Sequence, residues 1–345
     1  MAGGKGERFW PFSTGNVPKP FLQLTGEKSL IQLTAERALR FVPLKRIFIV
    51  LGKKHLKVAQ KQLPELPPDN FIVEPAGRDT AACIGLAAIT LLLRDDKATM
   101  VVLPADQYIP DIDTFADTMS HCVAVAQEGS ALITLGITPT RPETGYGYIK
   151  AGKNISSCDG DTCFIVEAYV EKPDLKKAAE YIHDGNYYWN AGIFIWQVGT
   201  VLKGMEQHMP NLYKGLLSIG EALRAGKKTK ADAIFKAFER KSIDYGLMEK
   251  ARNVLMVPAI FKWDDVGTWA SLQRVLDLDK EGNYKQGNTL CIDTKDSVVI
   301  GDNMVVATIG VSDLIIVASK KGILVCSKDR AQDVREIAKS METKQ

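Results

Sequence analysis

The sequence has no long apolar run, no basic cluster and no grouped cysteines, and each lack removes a class of function. Its longest apolar stretch, residues 81–93, is closed by Arg94-Asp95-Asp96 and is too short to span a bilayer, so it reads as a buried helix. No basic segment leads into an apolar one at the start, so secretion is not indicated. A formal net charge of +3 without a basic run leaves no footprint for nucleic acid, and the expected anionic partner is small. The six cysteines and four histidines are scattered without zinc spacing. Cys83, Cys122 and Cys326 stand among apolar neighbours as small core side chains, and a lone Cys158–Cys163 bridge would be unusual in a reducing cytosol. A cytoplasmic globular protein with no membrane partner is expected.

What is present is a regular alternation. Leu30, Thr34, Ala38 and Phe41 recur at helical spacing before the apolar run 46–51, and the pattern repeats as helix 54–63, strand 71–74, helix 80–93 and strand 99–103. Helix 115–128 and strand 131–137 continue it. Strands apolar on both faces between helices imply a Rossmann-like, mostly parallel sheet covered by helices. Extended segments follow at 147–150, 163–171 and 191–196, then helical sequence over 198–250. Asp-Lys-Glu-Gly-Asn, within 278–287, reads as a linker, which divides the chain into a large domain, 1–278, and a small β-rich domain, 288–345. The short β-branched runs of the latter, broken by Gly301, Gly310 and Gly322, suit turns of a β-helix, a small sheet, or both, and a charged helix from Arg330 closes the chain.

The chemistry concentrates at the beginning. Gly3, Gly4 and Gly6 let the backbone approach an anion and turn successive N–H groups toward it, Arg8 and Lys19 add fixed charge, and Pro11, Pro18 and Pro20 stiffen the segment. The order Gly-x-x-x-x-Gly-Lys-Ser/Thr is absent, and the third glycine of the dinucleotide fingerprint is missing. Glycines alone would equally suit a turn with surface charges. Asp106 follows strand 99–103, where open α/β sheets bind ligands, and Asp265 lies in a distant loop; two such carboxylates suit Mg²⁺ on triphosphate oxygens, although an Asp in that place is as often a helix cap. Glu171-Lys172-Pro173 ends a strand with a phosphate-binding cation beside a hydroxyl acceptor. Asn190 and Gly192 precede an apolar strand, Gly145-Tyr146-Gly147 joins two segments, and Arg78-Asp79-Thr80 opens a helix with Asp79 or Thr80 as its cap.

Gly-Gly-x-Gly-x-Arg followed by Pro-Lys-Pro is similar to the signature loop of sugar-1-phosphate nucleotidyltransferases, and Phe9-Trp10-Pro11 resembles the mannose-1-phosphate guanylyltransferase branch. The resemblance runs over roughly residues 2–276. It implies a glycosyltransferase-A-like nucleotidyltransferase fold and transfer of GMP from GTP to mannose 1-phosphate, releasing pyrophosphate. By resemblance, Arg8 and Lys19 stabilise the triphosphate on Gly3, Gly4 and Gly6, Asp106 and Asp265 hold Mg²⁺, and Lys172 grips the sugar phosphate. Glu171, Asn190, Gly192, Gly145 and Tyr146 face the sugar, Arg78, Asp79 and Thr80 lie near guanine, and residues 242–250 line the sugar side. Departures fall at Asp79, Ala82 and Gln107, where relatives usually carry Asn, Pro and often His. Rival readings are glucose 1-phosphate with UTP or dTTP, and a non-catalytic relative that binds nucleotide sugar. A homodimer is compatible with either, and no added isomerase domain is expected. In the family a hydrophobic strand precedes the glycine loop; here Met1 abuts it, so a native start further upstream is expected, with fraying of this one.

Overall fold

A computed structural model describes residues 1–4, 6–156 and 162–342, so Cys158 lies outside the described residues. The alternation read from the sequence appears as α1 (Leu30–Ala38), β1 (Ile49–Gly52), α2 (Leu56–Gln62), β2 (Phe71–Glu74), α3 (Asp79–Leu92), β3 (Thr99–Val102), α4 (Ile112–Glu128) and β4 (Leu132–Ile137). Helix α1 starts where it does because Ser29 and Gln32 close a capping box, the Ser29 N–H donating to Gln32 Oε1 at 2.9 Å. Helix α3 is apolar almost all round and is accordingly buried along residues 81–89.

Strands β5 (Tyr148–Ser156) and β6 (Thr162–Val170) form a hairpin, followed by α5 (Leu175–Asp184) and the long β7 (Tyr187–Gln197). Asp174 caps α5 by accepting from the Lys177 N–H at 2.8 Å. Three helices, α6 (Val198–His208), α7 (Pro210–Arg224) and α8 (Lys228–Lys236), lead to β8 (Val254–Ala259) and the short α9 (Leu272–Val275). The main sheet has the order β3-β7-β4-β8-β6-β5. Strands β3 and β4 are both antiparallel to β7, and β4 is parallel to β8, so β3, β4 and β8 share one direction and β7 is inserted against it. Strands β1 and β2 pair in parallel as a separate ladder.

The beginning of the chain joins those two sheets. The Met1 ammonium donates to Leu103 O at 2.7 Å, the Ala105 N–H donates to Met1 O at 3.0 Å, and the Ala2 N–H donates to Val50 O at 2.8 Å. Ala2 is fully buried. Residues 1 and 2 therefore bridge β1 and the segment that follows β3 by backbone hydrogen bonds.

The C-terminal part is built from β9 (Tyr284–Ile292), β10 (Val298–Ile309), β11 (Leu314–Ser319), β12 (Gly322–Ser327) and α10 (Val334–Glu342). Strand β10 runs parallel to both β9 and β11, whereas β12 folds back antiparallel on β11. Parallel neighbours usually need a long crossover. Here short links serve because the chain coils, with an irregularity between Gly301 and Val306, so helical turns and a hairpin are both present. Val298, Ile300, Ile315 and Val317 point inward and share one buried cluster with Phe9, Leu30 and Trp269, so this part is packed onto the glycine loop.

Candidate active site

The glycine loop is folded against Lys19. Gly6 has φ of 62°, and a Cβ there would lie 2.7 Å from the backbone nitrogen of Lys19, so the residue must be small and left-handed for the two segments to touch. A turn at Glu7–Phe9 follows, closed by the Phe9 ring set edge-on to Trp269 at 5.1 Å. Arg8 Nη1 donates to Gly267 O at 3.4 Å. Lys19 is 6% exposed; its ammonium pairs with Asp106 Oδ2 at 3.1 Å and donates to the Asp265 carbonyl. Burial acts to lower the Lys19 pKa, but Asp106 and Asp265 outweigh it, and the group is held above its ordinary value.

Asp106 arrives from the end of β3, as the strand pattern implies. Asp265 is held by its neighbour. Asp264 is 6% exposed, pairs its backbone with Tyr108 in both directions and takes both ends of the Arg274 guanidinium at 3.1 Å. Its Oδ1 also accepts from the Val266 N–H at 2.7 Å. A buried carboxylate so fully bonded fixes the loop and leaves Asp265 to face the cavity. That cavity, about 330 Å³, is lined by residues 3, 4 and 6–9 of the first segment and by Lys19, Asp106 and Asp265. Gly267, Arg335 and Lys339 also line it, and nothing in the local sequence pattern announces them.

A second cluster gathers Glu171, Lys172, Asn190 and Gly192, which the resemblance places toward the sugar. Lys172 pairs with Glu171; burial acts to lower the Lys172 pKa and Glu171 more than offsets it, so the ammonium is held above its ordinary value. Asn190 Nδ2 donates to Asp244 Oδ1 at 3.0 Å, and the Tyr169 hydroxyl donates to the same oxygen at 2.6 Å. Burial and then Asp244 push the Tyr169 hydroxyl well above its usual pKa. The Gly192 N–H donates to Asn190 Oδ1 at 2.9 Å. A Cβ on Gly147 would lie 2.5 Å from Glu171 Oε2 and 3.4 Å from the Asn190 Cβ, so the three residues converge. Asp244 had only the wider segment 242–250 as its signal. Tyr146 is packed differently: its ring lies edge-on to Trp189 at 5.2 Å and Trp263 at 5.3 Å, and Arg141 donates to its hydroxyl at 3.4 Å. The Gly145 N–H is turned onto Glu143 Oε1 at 3.1 Å.

Arg78, Asp79 and Thr80 are not among the residues lining the cavity. Neither side chain expected to cap α3 does so. Arg78 occupies the capping position without a side-chain cap bond, the Asp79 carboxylate accepts from the adjacent Thr80 N–H at 2.7 Å, and the Thr80 hydroxyl accepts from the Ile243 N–H at 2.8 Å. Asp79 has φ of 68°, a left-handed backbone rare for a non-glycine residue, and Arg78 donates to the Lys236 carbonyl.

Residues 1–282 match the family described as Nucleotidyl transferase. The chain belongs to that family. Residues 287–341 match a MannoseP isomerase/GMP-like beta-helix domain. The alginate biosynthesis protein AlgA of Pseudomonas aeruginosa is 34% identical over 99% of this chain and 71% of its own length. A mannose-1-phosphate guanylyltransferase of Salmonella montevideo is 36% identical over 99% of this chain and 73% of its own. A crystal structure described as a mannose-1-phosphate geranyltransferase from Thermus thermophilus superposes with a TM-score of 0.88 at 38% identity, covering 99% of this chain and 98% of that one. The chain is thus a nucleotidyltransferase, an enzyme class that generally uses a divalent metal. Among the described residues, no helix is long and apolar enough to cross a membrane.

Three carboxylates line the cavity, Glu7, Asp106 and Asp265, and the two aspartates fit a small hard cation, which takes one or two protein carboxylates and leaves its other positions to phosphate and water. Among the described residues, no group of three or more His, Cys, Asp or Glu side chains is placed to hold a metal ion.

Proposed function

We propose that this nucleotidyltransferase transfers GMP from GTP to mannose 1-phosphate, giving GDP-mannose and pyrophosphate in the cytoplasm, with Mg²⁺ held by Asp106 and Asp265. The observation that carries the reading is the convergence of the glycine loop, Arg8, Lys19 and both carboxylates on one cavity, with the Glu171, Lys172, Asn190 and Asp244 cluster apart from it. The loop N–H groups and Arg8 hold the triphosphate, and Lys19, anchored between Asp106 and the Asp265 loop, supplies buried positive charge where charge develops. Mg²⁺ would neutralise the phosphate oxygens and polarise the α-phosphate.

Lys172 and Glu171 orient mannose 1-phosphate, whose phosphate is already anionic and needs no general base. A sugar-phosphate oxygen forms the new bond to the α-phosphorus as the bond to the bridging oxygen breaks, and the electron pair leaves with pyrophosphate. Positioning and charge neutralisation suffice for such a step. The test is pyrophosphate release with Mg²⁺, four nucleoside triphosphates and a panel of hexose 1-phosphates. GTP with mannose 1-phosphate should give the highest kcat/KM; a higher value for UTP or dTTP with glucose 1-phosphate, or no turnover of any pair, overturns the assignment.

A further inference from the structure

The cavity has a wall that comes from the far end of the chain. Helix α10 lies across the Glu7–Phe9 turn, pinned by Val334 (2% exposed) and Ala331 (5%), both in the buried cluster that contains Phe9 and Trp269. Arg335 and Lys339, four residues apart, stand on one face of this helix, and both line the cavity with Gly3 and Gly4. The Lys19 ammonium is engaged by Asp106 and the Asp265 carbonyl, and the Glu7 carboxylate lines the same cavity. A triphosphate on the glycine loop therefore meets Arg8 from the loop and a pair of cations from α10. The sugar-side residues Glu171, Lys172 and Asn190 do not line this cavity. In-line displacement places the leaving group opposite the attacking oxygen, so cations of a cavity that the sugar cluster does not line suit the pyrophosphate side.

We propose that Arg335 and Lys339 form the binding wall for the β- and γ-phosphates of the nucleotide, and hence for the departing pyrophosphate. The C-terminal part is then a component of the active site as well as a packing partner. Arginine suits the role because its planar donor fork can take two phosphate oxygens at once, while the lysine adds a mobile point charge.

The inference rests on the proposed reaction, and its test uses inorganic pyrophosphate so that the two fail separately. Binding of pyrophosphate with Mg²⁺ to the full chain is measured by calorimetry for the unaltered protein and for Arg335→Ala, Lys339→Ala, the double variant and Arg335→Lys. Each alanine variant should weaken binding about tenfold and the double variant more, with partial recovery in Arg335→Lys, while KM for mannose 1-phosphate stays within about twofold. A double variant that binds pyrophosphate as the unaltered chain does, an unaltered chain that does not bind it, or an equal loss for both ligands with a lowered melting temperature overturns the inference. Weakened pyrophosphate binding in a chain that turns over no sugar phosphate would uphold this wall and sink the substrate assignment.

Discussion

Glu74 shows how much a single buried charge can shape the behaviour of this enzyme. It ends β2 at 8% exposure, and burial pushes its carboxyl up to about 7, with the Met1 ammonium pulling the other way. A carboxyl raised in the folded state contributes stability that is fully present below its unfolded value, near 4.5, and is lost as pH rises through about 7. Glu74→Gln should therefore be close to neutral at pH 4 and stabilise the protein by on the order of 2–3 kcal/mol at pH 8. Urea melts at both values check this, and equal effects at both would refute it. Lys19 and Lys172 are each held above their ordinary pKa by acidic neighbours, but in different clusters. Lys172→Ala should mainly raise KM for mannose 1-phosphate and Lys19→Ala mainly lower kcat with GTP, each by roughly tenfold to a hundredfold. Steady-state kinetics with the two effects exchanged would mean the phosphates are assigned the wrong way round.

At the scale of elements, two glycines separate backbone from side-chain constraint. A Cβ on Gly6 meets the Lys19 backbone at 2.7 Å in a left-handed conformation, so Gly6→Ala has to displace the Lys19 segment. A Cβ on Gly147 meets the end of the Glu171 side chain at 2.5 Å, so a side chain paired with Lys172, and not the backbone, has to give way. Gly6→Ala is thus expected to lower both the melting temperature and kcat, and Gly147→Ala to leave melting nearly unchanged while raising KM for the sugar phosphate. Thermal melts paired with kinetics decide it; matching profiles for the two variants would show that the loops are not constrained in these different ways. The same contrast explains what the sequence made legible. Helix and strand alternation through residue 137 could be read because periodicity is local, and Asp106 followed from its place after β3. The insertion of β7 against β3 and β4 could not, since strand direction is set by partners distant in the chain. Asp244 and Asp264 escaped for a related reason: an acid beside Tyr169 and Asn190, or one clamped by Arg274, looks in sequence like any surface acid.

For the whole molecule, the reading of a large and a small part joined by a linker leaves out how they are bound together. Strand β9 begins at Tyr284, inside the stretch read as linker, and pairs with β10 from its first residue. The Trp269 indole donates to Trp10 O at 3.0 Å, and a Cβ on Gly322 would lie 2.8 Å from the Trp10 ring, so the β11–β12 hairpin touches the segment that follows the glycine loop directly. Ile315, fully buried in β11, belongs to the same cluster as Phe9, Leu30 and Trp269. One core shared between parts implies one cooperative unfolding transition. Ile315→Ala removes buried volume from that shared core and should destabilise the chain by about 2–5 kcal/mol. The informative measurement is denaturant unfolding followed both by far-ultraviolet circular dichroism and by tryptophan fluorescence, in a background where Trp189, Trp196 and Trp263 are replaced by Phe so that the signal comes from Trp10 and Trp269 at the junction. Coincident curves that shift together in the variant support a single unit. A variant in which one probe shifts and the other keeps its midpoint would show that the C-terminal turns unfold on their own, and the glycine loop would then be held from the N-terminal side alone.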